Sequence, residues 1–272
     1  MNKLKNLLEE QKKQEIHPSE EHYSPPVNSI KLPSRGVVYQ PESPLYLVET
    51  IDIQPVTAKE ENILSSPILI KKGTVLTELM KACITNRTID PDELLIGDRN
   101  AILTAIRISA YGDEYAARVS CPECGESSDY TFNLSKLKLK FLDEQPIGGP
   151  GSNEFNFKLP RSGLTATFRL LNARLLSELD KDIEGIRKKT GRDQQVTLRL
   201  QKQVVGLSGV EEKKLQQAIN SMSAIDSRTL RIYMDSIAPG IDMMQEFDCG
   251  NCGKNSEVEI VVGTEFFWPS VK

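Results

Sequence analysis

Beyond residue 22 the sequence contains no histidine. The only two, His17 and His22, sit in a polar N-terminal segment among Pro18, Pro25 and Pro26. A catalytic centre built on Ser-His-Asp, on Cys-His or on a His-x-x-x-His zinc helix therefore has no imidazole in the body of the chain. A Gly-x-x-x-x-Gly-Lys-Ser/Thr loop is also missing. The cluster Gly148-Gly149-Pro150-Gly151-Ser152 precedes no helical pattern that could cradle a phosphate, and it reads as a flexible connection. Apolar runs such as Ser66-Pro67-Ile68-Leu69-Ile70 are far shorter than the ~20 residues a membrane span needs. The Lys- and Glu-rich start lacks the apolar core of an export signal, so neither a signal peptide nor a membrane span is expected. Basic charge is in deficit as well. With 34 Lys and Arg against 38 Asp and Glu the net charge is -4, and the summed field repels a phosphate backbone, so nucleic acid is not an expected partner.

What is present suits a folded chain of one large or two ordinary domains: 272 residues, 39% of them apolar. Residues 1–44 combine a short amphipathic stretch at Leu4, Leu7 and Leu8 with a Pro- and Ser-rich run, and read as an extended N-terminal arm. Residues 45–53 alternate like a strand. Thr57-Ala58-Lys59-Glu60 is a capping box that opens a helix. Residues 74–85 carry one buried helical face, Val75, Leu76, Leu79, Met80, Cys83 and Ile84. A further helix is expected from Asp98, as N-cap, to a stop at Tyr111-Gly112.

Five cysteines occur, four of them in two Cys-x-x-Cys pairs. Cys83 is left over, inside an apolar helical pattern where it reads as a small buried hydrophobe. The pairs are Cys121-Pro122-Glu123-Cys124-Gly125 and Cys249-Gly250-Asn251-Cys252-Gly253. Two residues between thiolates let both sulfurs face one ion, and the following glycine permits a left-handed reversal into the next strand. Strand-like patterns flank both pairs, at 117–120 and 130–134, then at 246–248 and 257–262. The four cysteines are thus the expected ligands of a structural metal in a zinc-ribbon element. Zinc is favoured, and iron is also compatible with four thiolates. A thioredoxin-like redox pair is the rival reading, but such a pair usually opens a helix, and here two pairs lie between strands.

The two pairs are separated by 124 residues. Closing so long a loop costs about 4 kcal/mol, well below the roughly 10 to 16 kcal/mol of structural zinc binding in small peptides. The intervening region has its own organisation. A hairpin joins 155–159 to 164–170, and three or four helices follow, one with Gly191 as C-cap and one with Asp226 as N-cap. The expected fold is α+β, with mixed helices, short antiparallel strands and a zinc ribbon split by a long, mostly helical insert. Its parts are an arm over 1–44, a body over 45–134 and 245–272, and an insert over 135–244.

The run Ile96-Gly97-Asp98-Arg99, Ile102-Leu103, Ile106-Arg107-Ile108, Tyr111-Gly112, Tyr115 and the first cysteine pair resembles the baseplate proteins of T4-like contractile-tailed phages. Leu32-Pro33-Ser34-Arg35-Gly36 with Tyr39, and the closing Phe266-Phe267-Trp268, are similar to that family's ends. The resemblance implies a baseplate component or hub-assembly factor in a hetero-oligomeric tail assembly, made in the host cytoplasm and placed in the virion baseplate, with no catalytic site to carry over. Zinc-ribbon nucleic-acid binding and carboxylate-only catalysis are the alternatives. Acids outnumber bases around the knuckles, and pairs such as Glu60-Glu61 read as helix starts. Leu32, Pro33, Tyr39, Phe266, Phe267 and Trp268 are the candidate partner-binding residues. The competing reading of the terminal rings is that they cover the protein's own ribbon strands.

Overall fold

The structure, a computed structural model, describes residues 28–267. Strand β1 (Asn28–Lys31) pairs antiparallel with β2 (Thr50–Ile53). The strand expected over 45–53 thus begins only at Thr50. Residues before it turn around Gly36, whose φ of +71° suits glycine and whose added Cβ would lie 2.3 Å from the Val48 amide nitrogen. Helix α1 (Ala58–Leu64) starts at the expected capping box: the Thr57 amide donates to Glu60 Oε2 at 3.0 Å, and the Thr57 hydroxyl accepts from the Lys59 amide. After α2 (Pro67–Lys72), helix α3 (Val75–Cys83) buries Val75, Leu79, Met80 and Cys83, the face read from its spacing. Helix α4 (Ile96–Tyr111) crosses the core and stops at Gly112.

Strands β3 (Glu114–Ser120) and β4 (Ser127–Asn133) form a hairpin that ends in the first cysteine pair. The chain continues through β5 (Leu139–Lys140) into the sheet of β6 (Phe155–Lys158) and β7 (Thr165–Phe168). Helices α5 (Ala173–Thr190) and α6 (Gln195–Gln203) follow, and β8 (Val204–Leu207) returns beside β7. Next come α7 (Leu215–Asn220) and α8 (Ala224–Ile237), then β9 (Gly240–Ile241), which pairs with β5 and so brings the two ends of the insert together. A second hairpin, β10 (Met244–Asp248) with β11 (Asn255–Glu259), carries the second cysteine pair. Mixed helices and short antiparallel strands make this an α+β fold. Body and insert share one apolar cluster, in which Leu32, Ile53 and Ile102 join Phe155, Phe168 and Leu230. The glycine cluster is an ordered turn: Gly151 donates its amide to the Val37 carbonyl at 2.8 Å.

Two aspartates expected as N-caps sit elsewhere. Leu95 caps α4 and Ser223 caps α8, leaving Asp98 and Asp226 at the third helical position. There each carboxylate faces the positive end of its helix and also reaches out to a distant loop. Asp98 accepts from the Ser34 amide (2.8 Å), the Ser34 hydroxyl (2.5 Å) and the Tyr39 hydroxyl (2.5 Å), while Tyr39 in turn accepts from the Leu95 amide at 3.0 Å. Asp98 is fully buried. Burial pushes its carboxyl up, against the opposing pull of the Ser34 and Tyr39 hydrogen bonds, and the same burial beside Asp98 raises Tyr39 well above the ordinary phenol. Asp226 accepts from the amides of Arg161 and Ser162 and so fastens the β6–β7 turn to α8.

The motif at 32–39 is therefore a hydrogen-bonded junction with α4, and residues 28–44 are built into the body. An arm over the whole of 1–44 is accordingly not what the structure shows; residues 1–27 lie outside the described residues.

Candidate metal centre

Each cysteine pair occupies the same turn. In the first, the Cys121 amide donates to the Glu126 carbonyl at 2.8 Å and the Gly125 amide to the Cys121 carbonyl at 2.9 Å. In the second, Cys249 donates to Lys254 at 3.0 Å and Gly253 to Cys249 at 2.9 Å. Gly125 and Gly253 take φ of +75° and +67°, the left-handed reversal expected of a glycine after the second cysteine. Below the turns the strands pair in register, Ser120 with Ser127 and Asp248 with Asn255.

The fold brings the two turns face to face across a gap of more than a hundred residues in sequence. The four Sγ atoms all lie within 4.8 Å of one another, with Cys121 to Cys252 and Cys124 to Cys249 both at 3.8 Å. The leading cysteine of each pair is buried and the trailing one exposed. The two hairpins belong to separate sheets; further down Phe132 and Ile260 tie both hairpins to the main core, and beneath the sulfurs lies a small apolar cluster. Phe247 is fully buried there with Cys121 and Cys249, flanked by Val119, Tyr130 and Val258. The Tyr130 ring meets Phe247 edge-on at 5.1 Å. At the rim the Asn251 amide donates to Cys124 Sγ at 3.7 Å, and Lys254 pairs with Glu123 at 2.6 Å.

Four thiols so close cannot all lose their protons in isolation. The backbone amide of Glu126, with the Asn251 side chain, draws Cys124 down to about 7. Cys252 receives the Lys254 amide, yet desolvation and the neighbouring thiols hold it up to about 11. A divalent cation at the centre removes that conflict, because each thiolate then meets positive charge first. The spacing suits such an ion: a tetrahedron with metal–sulfur bonds of about 2.3 Å has edges of about 3.8 Å. A disulfide needs about 2.05 Å between sulfurs, and all five cysteines are free thiols. The set can therefore bind a metal. Cys83 stands apart, buried in α3, where burial pushes its thiol up to about 12.

The expected partner-binding residues lie elsewhere, and the structure overturns that reading for five of them. Leu32, Pro33, Tyr39, Phe266 and Phe267 are buried in the protein's own core. Phe266 packs on Tyr115 of β3 at 5.0 Å, as the competing reading of those rings required. Its carbonyl accepts from Arg107 Nε at 3.0 Å; the same buried guanidinium donates to the carbonyls of Gly112 and Glu114. These aromatics are a C-terminal clasp rather than a free surface. Trp268 lies outside the described residues. Sequence reasoning also missed β8, whose four residues with Gly206 inside give too short a pattern to announce a strand.

Among the described residues no helix is long and apolar enough to cross a membrane. A family model described as T4 bacteriophage base plate protein matches residues 28–268. No curated protein and no solved structure matches the chain.

Proposed function

Because the chain belongs to the T4 bacteriophage base plate protein family, a structural role in the tail baseplate among other tail proteins is its premise, and we propose that it is a hub- or wedge-region component or assembly factor whose ribbon is locked by one structural zinc. Cys121, Cys124, Cys249 and Cys252 hold that ion. All four coordination positions come from protein, so none is left for substrate, and the site fastens two hairpins without performing chemistry. The observation that carries the reading is the sulfur cluster, with both cross-pairs at 3.8 Å beneath two identical turns.

Protein partners fit this surface better than nucleic acid. Glu123, Glu126, Asp129, Asp248, Glu257 and Glu259 are exposed on the ribbon, against Arg118 and Lys254, so the counterion release that drives nucleic-acid affinity is missing. Assembly takes place in the host cytoplasm, with the product destined for the baseplate of the particle. Elemental analysis of the purified protein should give zinc near one equivalent. Metal-free protein with a reversible Cys121–Cys124 disulfide would sink the reading. Mass spectrometry of purified particles against infected-cell lysate then separates a retained component from an assembly factor.

A further inference from the structure

Strand β3 keeps one edge open. The Cys121 amide donates to the Glu126 carbonyl and the Leu134 amide to the Asp113 carbonyl, so along this unbroken register the odd-numbered residues of β3 exchange bonds with β4. The amides and carbonyls of Glu114, Ala116, Arg118 and Ser120 therefore point the other way. The Glu114 carbonyl accepts from Arg107, but among the described residues the backbone groups of Ala116, Arg118 and Ser120 meet no partner, and β3 pairs with no strand besides β4. Exposed edges are commonly shielded by lysine, proline or a bulge, and β3 has none of these. Beyond the edge lies a cleft of about 450 Å³ whose far wall is β11 and the residues after it. Tyr115, Ala117, Val119, Phe132, Val258 and Ile260 make it apolar. Glu259 and Glu265 stand exposed on its rim. Glu259 lies opposite Met244 in register, and among the described residues neither acid forms an ion pair. The outward residues of β11 include Glu257 as well as Glu259, so that edge is guarded by charge and β3 is the one left to be covered.

The edge fixes the chemistry of its occupant. Only an extended backbone presents amides and carbonyls at the spacing that Ala116, Arg118 and Ser120 require. It must also be a lone strand. A second copy offering its own β3 would bring β4 bonded to the other side of that strand, into the place that β11 holds. From Tyr115 to Ser120 the cleft follows β3 for about 20 Å, room for a strand of about six residues. Alternate side chains of such a strand turn inward, where the floor takes valine- or isoleucine-like groups, and the others pass Glu259 and Glu265, where lysine or arginine is favoured. We infer that this cleft binds an extended segment of another protein, alternately basic and apolar, which adds to β3 as the next strand of its sheet. The inference rests on the open edge and the acids beside it, and is independent of what the four cysteines hold.

Amide exchange in the full-length protein, followed by NMR with metal content measured in every sample, tests it with the blocked peptide Lys-Val-Lys-Val-Lys-Val. In the free protein the amides of Ala116, Arg118 and Ser120 should exchange at least about tenfold faster than those of Ala117 and Val119. Saturating peptide should slow Ala116 and Arg118 by about tenfold or more, whereas Glu-Val-Glu-Val-Glu-Val and the proline-broken Lys-Val-Lys-Pro-Lys-Val should leave them unchanged. Ala116→Pro removes an amide that β4 does not use and should weaken the basic peptide at least about tenfold at an unaltered melting temperature. Glu259→Lys, on the exposed rim, should weaken the basic peptide and strengthen the acidic one; should Ala116→Pro unfold the hairpin, this charge exchange decides by itself. Protection of the edge in the free protein would overturn the proposal, assigning the edge to the chain itself if independent of protein concentration and to a second copy if not. An equal response to the basic and acidic peptides, no response to either, or protection confined to other faces would also overturn it.

Discussion

Two places in this protein join segments that are far apart in sequence, and they do it by opposite means. At the junction of residues 32–39 with α4, a buried carboxylate gathers three hydrogen bonds inside the main apolar cluster, and Gly97 lets β9 approach α4 so closely that an added Cβ would lie 1.8 Å from the Pro239 carbonyl oxygen. At the paired cysteine turns, the apolar cluster holds three buried residues, and the hairpins have no shared sheet. A fully buried side chain contributes roughly 1.5 to 3 kcal/mol, so a cluster of three holds the sulfur end of the hairpins far less firmly than the main core holds the junction. The junction is a product of the core, whereas the sulfur end of the two hairpins has little core beneath it and rests on the proposed metal site.

The largest effects should come from the junction. Gly97→Ala forces backbone against backbone and Asp98→Ala orphans three buried donors; each should lower global stability by about 4 kcal/mol or more, read by urea unfolding. If either leaves the main transition unmoved, the junction is not what ties α4 to the body. Next come the cysteine hairpins. Cys249→Ser, or removal of the proposed metal with a strong chelator, should cut amide-exchange protection in 114–133 and 244–259 by about a hundredfold, the factor that roughly 3 kcal/mol gives. The main unfolding transition should move far less, because β5–β9 still joins the ends of the insert. Global collapse on chelation would erase the contrast between the two places.

Smaller effects sharpen it. The raised carboxyl of Asp98 means that the folded state holds this proton more tightly than the unfolded chain does. Its contribution is therefore fully present below the unfolded value of about 3.9 and is lost as pH rises through the folded value. Relative to Asp98→Asn, the wild type should gain melting temperature as pH falls from 7 towards 4. A constant difference across that range would show that the carboxylate is solvated. Least of all should come from the exposed Glu123–Lys254 pair across the knuckles, with side chains 47% and 62% exposed. Glu123→Ala should cost at most about 0.5 kcal/mol and leave metal content unchanged.

Much of the cysteine cluster was legible beforehand. Cys-x-x-Cys-Gly between strands is a local rule, and it specified both turns, both left-handed glycines and the four sulfurs that the fold brings together. The capping box at Thr57 and the stops at Gly112 and Gly191 were readable for the same reason: neighbouring residues decide them. What escaped depended on distant residues. Asp98 and Asp226 look like N-caps until one knows that Ser34, Tyr39, Arg161 and Ser162 lie in front of them. Phe266 and Phe267 look like an interface until Arg107 and Tyr115 are seen to enclose them. The aspartate roles were invisible in the pattern because hydrogen bonds across 60 residues leave no periodicity.

The separation of the two cysteine turns also sets a timetable for synthesis. A ribosome adding about 5 to 20 residues per second completes the first turn roughly 6 to 25 s before it delivers Cys249 and Cys252. Throughout that interval Cys121 and Cys124 stand as an incomplete pair on a nascent chain. They are then at their most open to oxidation, or to sharing an ion with the same turn on a neighbouring polysome chain. On the proposed zinc reading, the yield of correctly loaded protein depends on how quickly the insert between the turns folds.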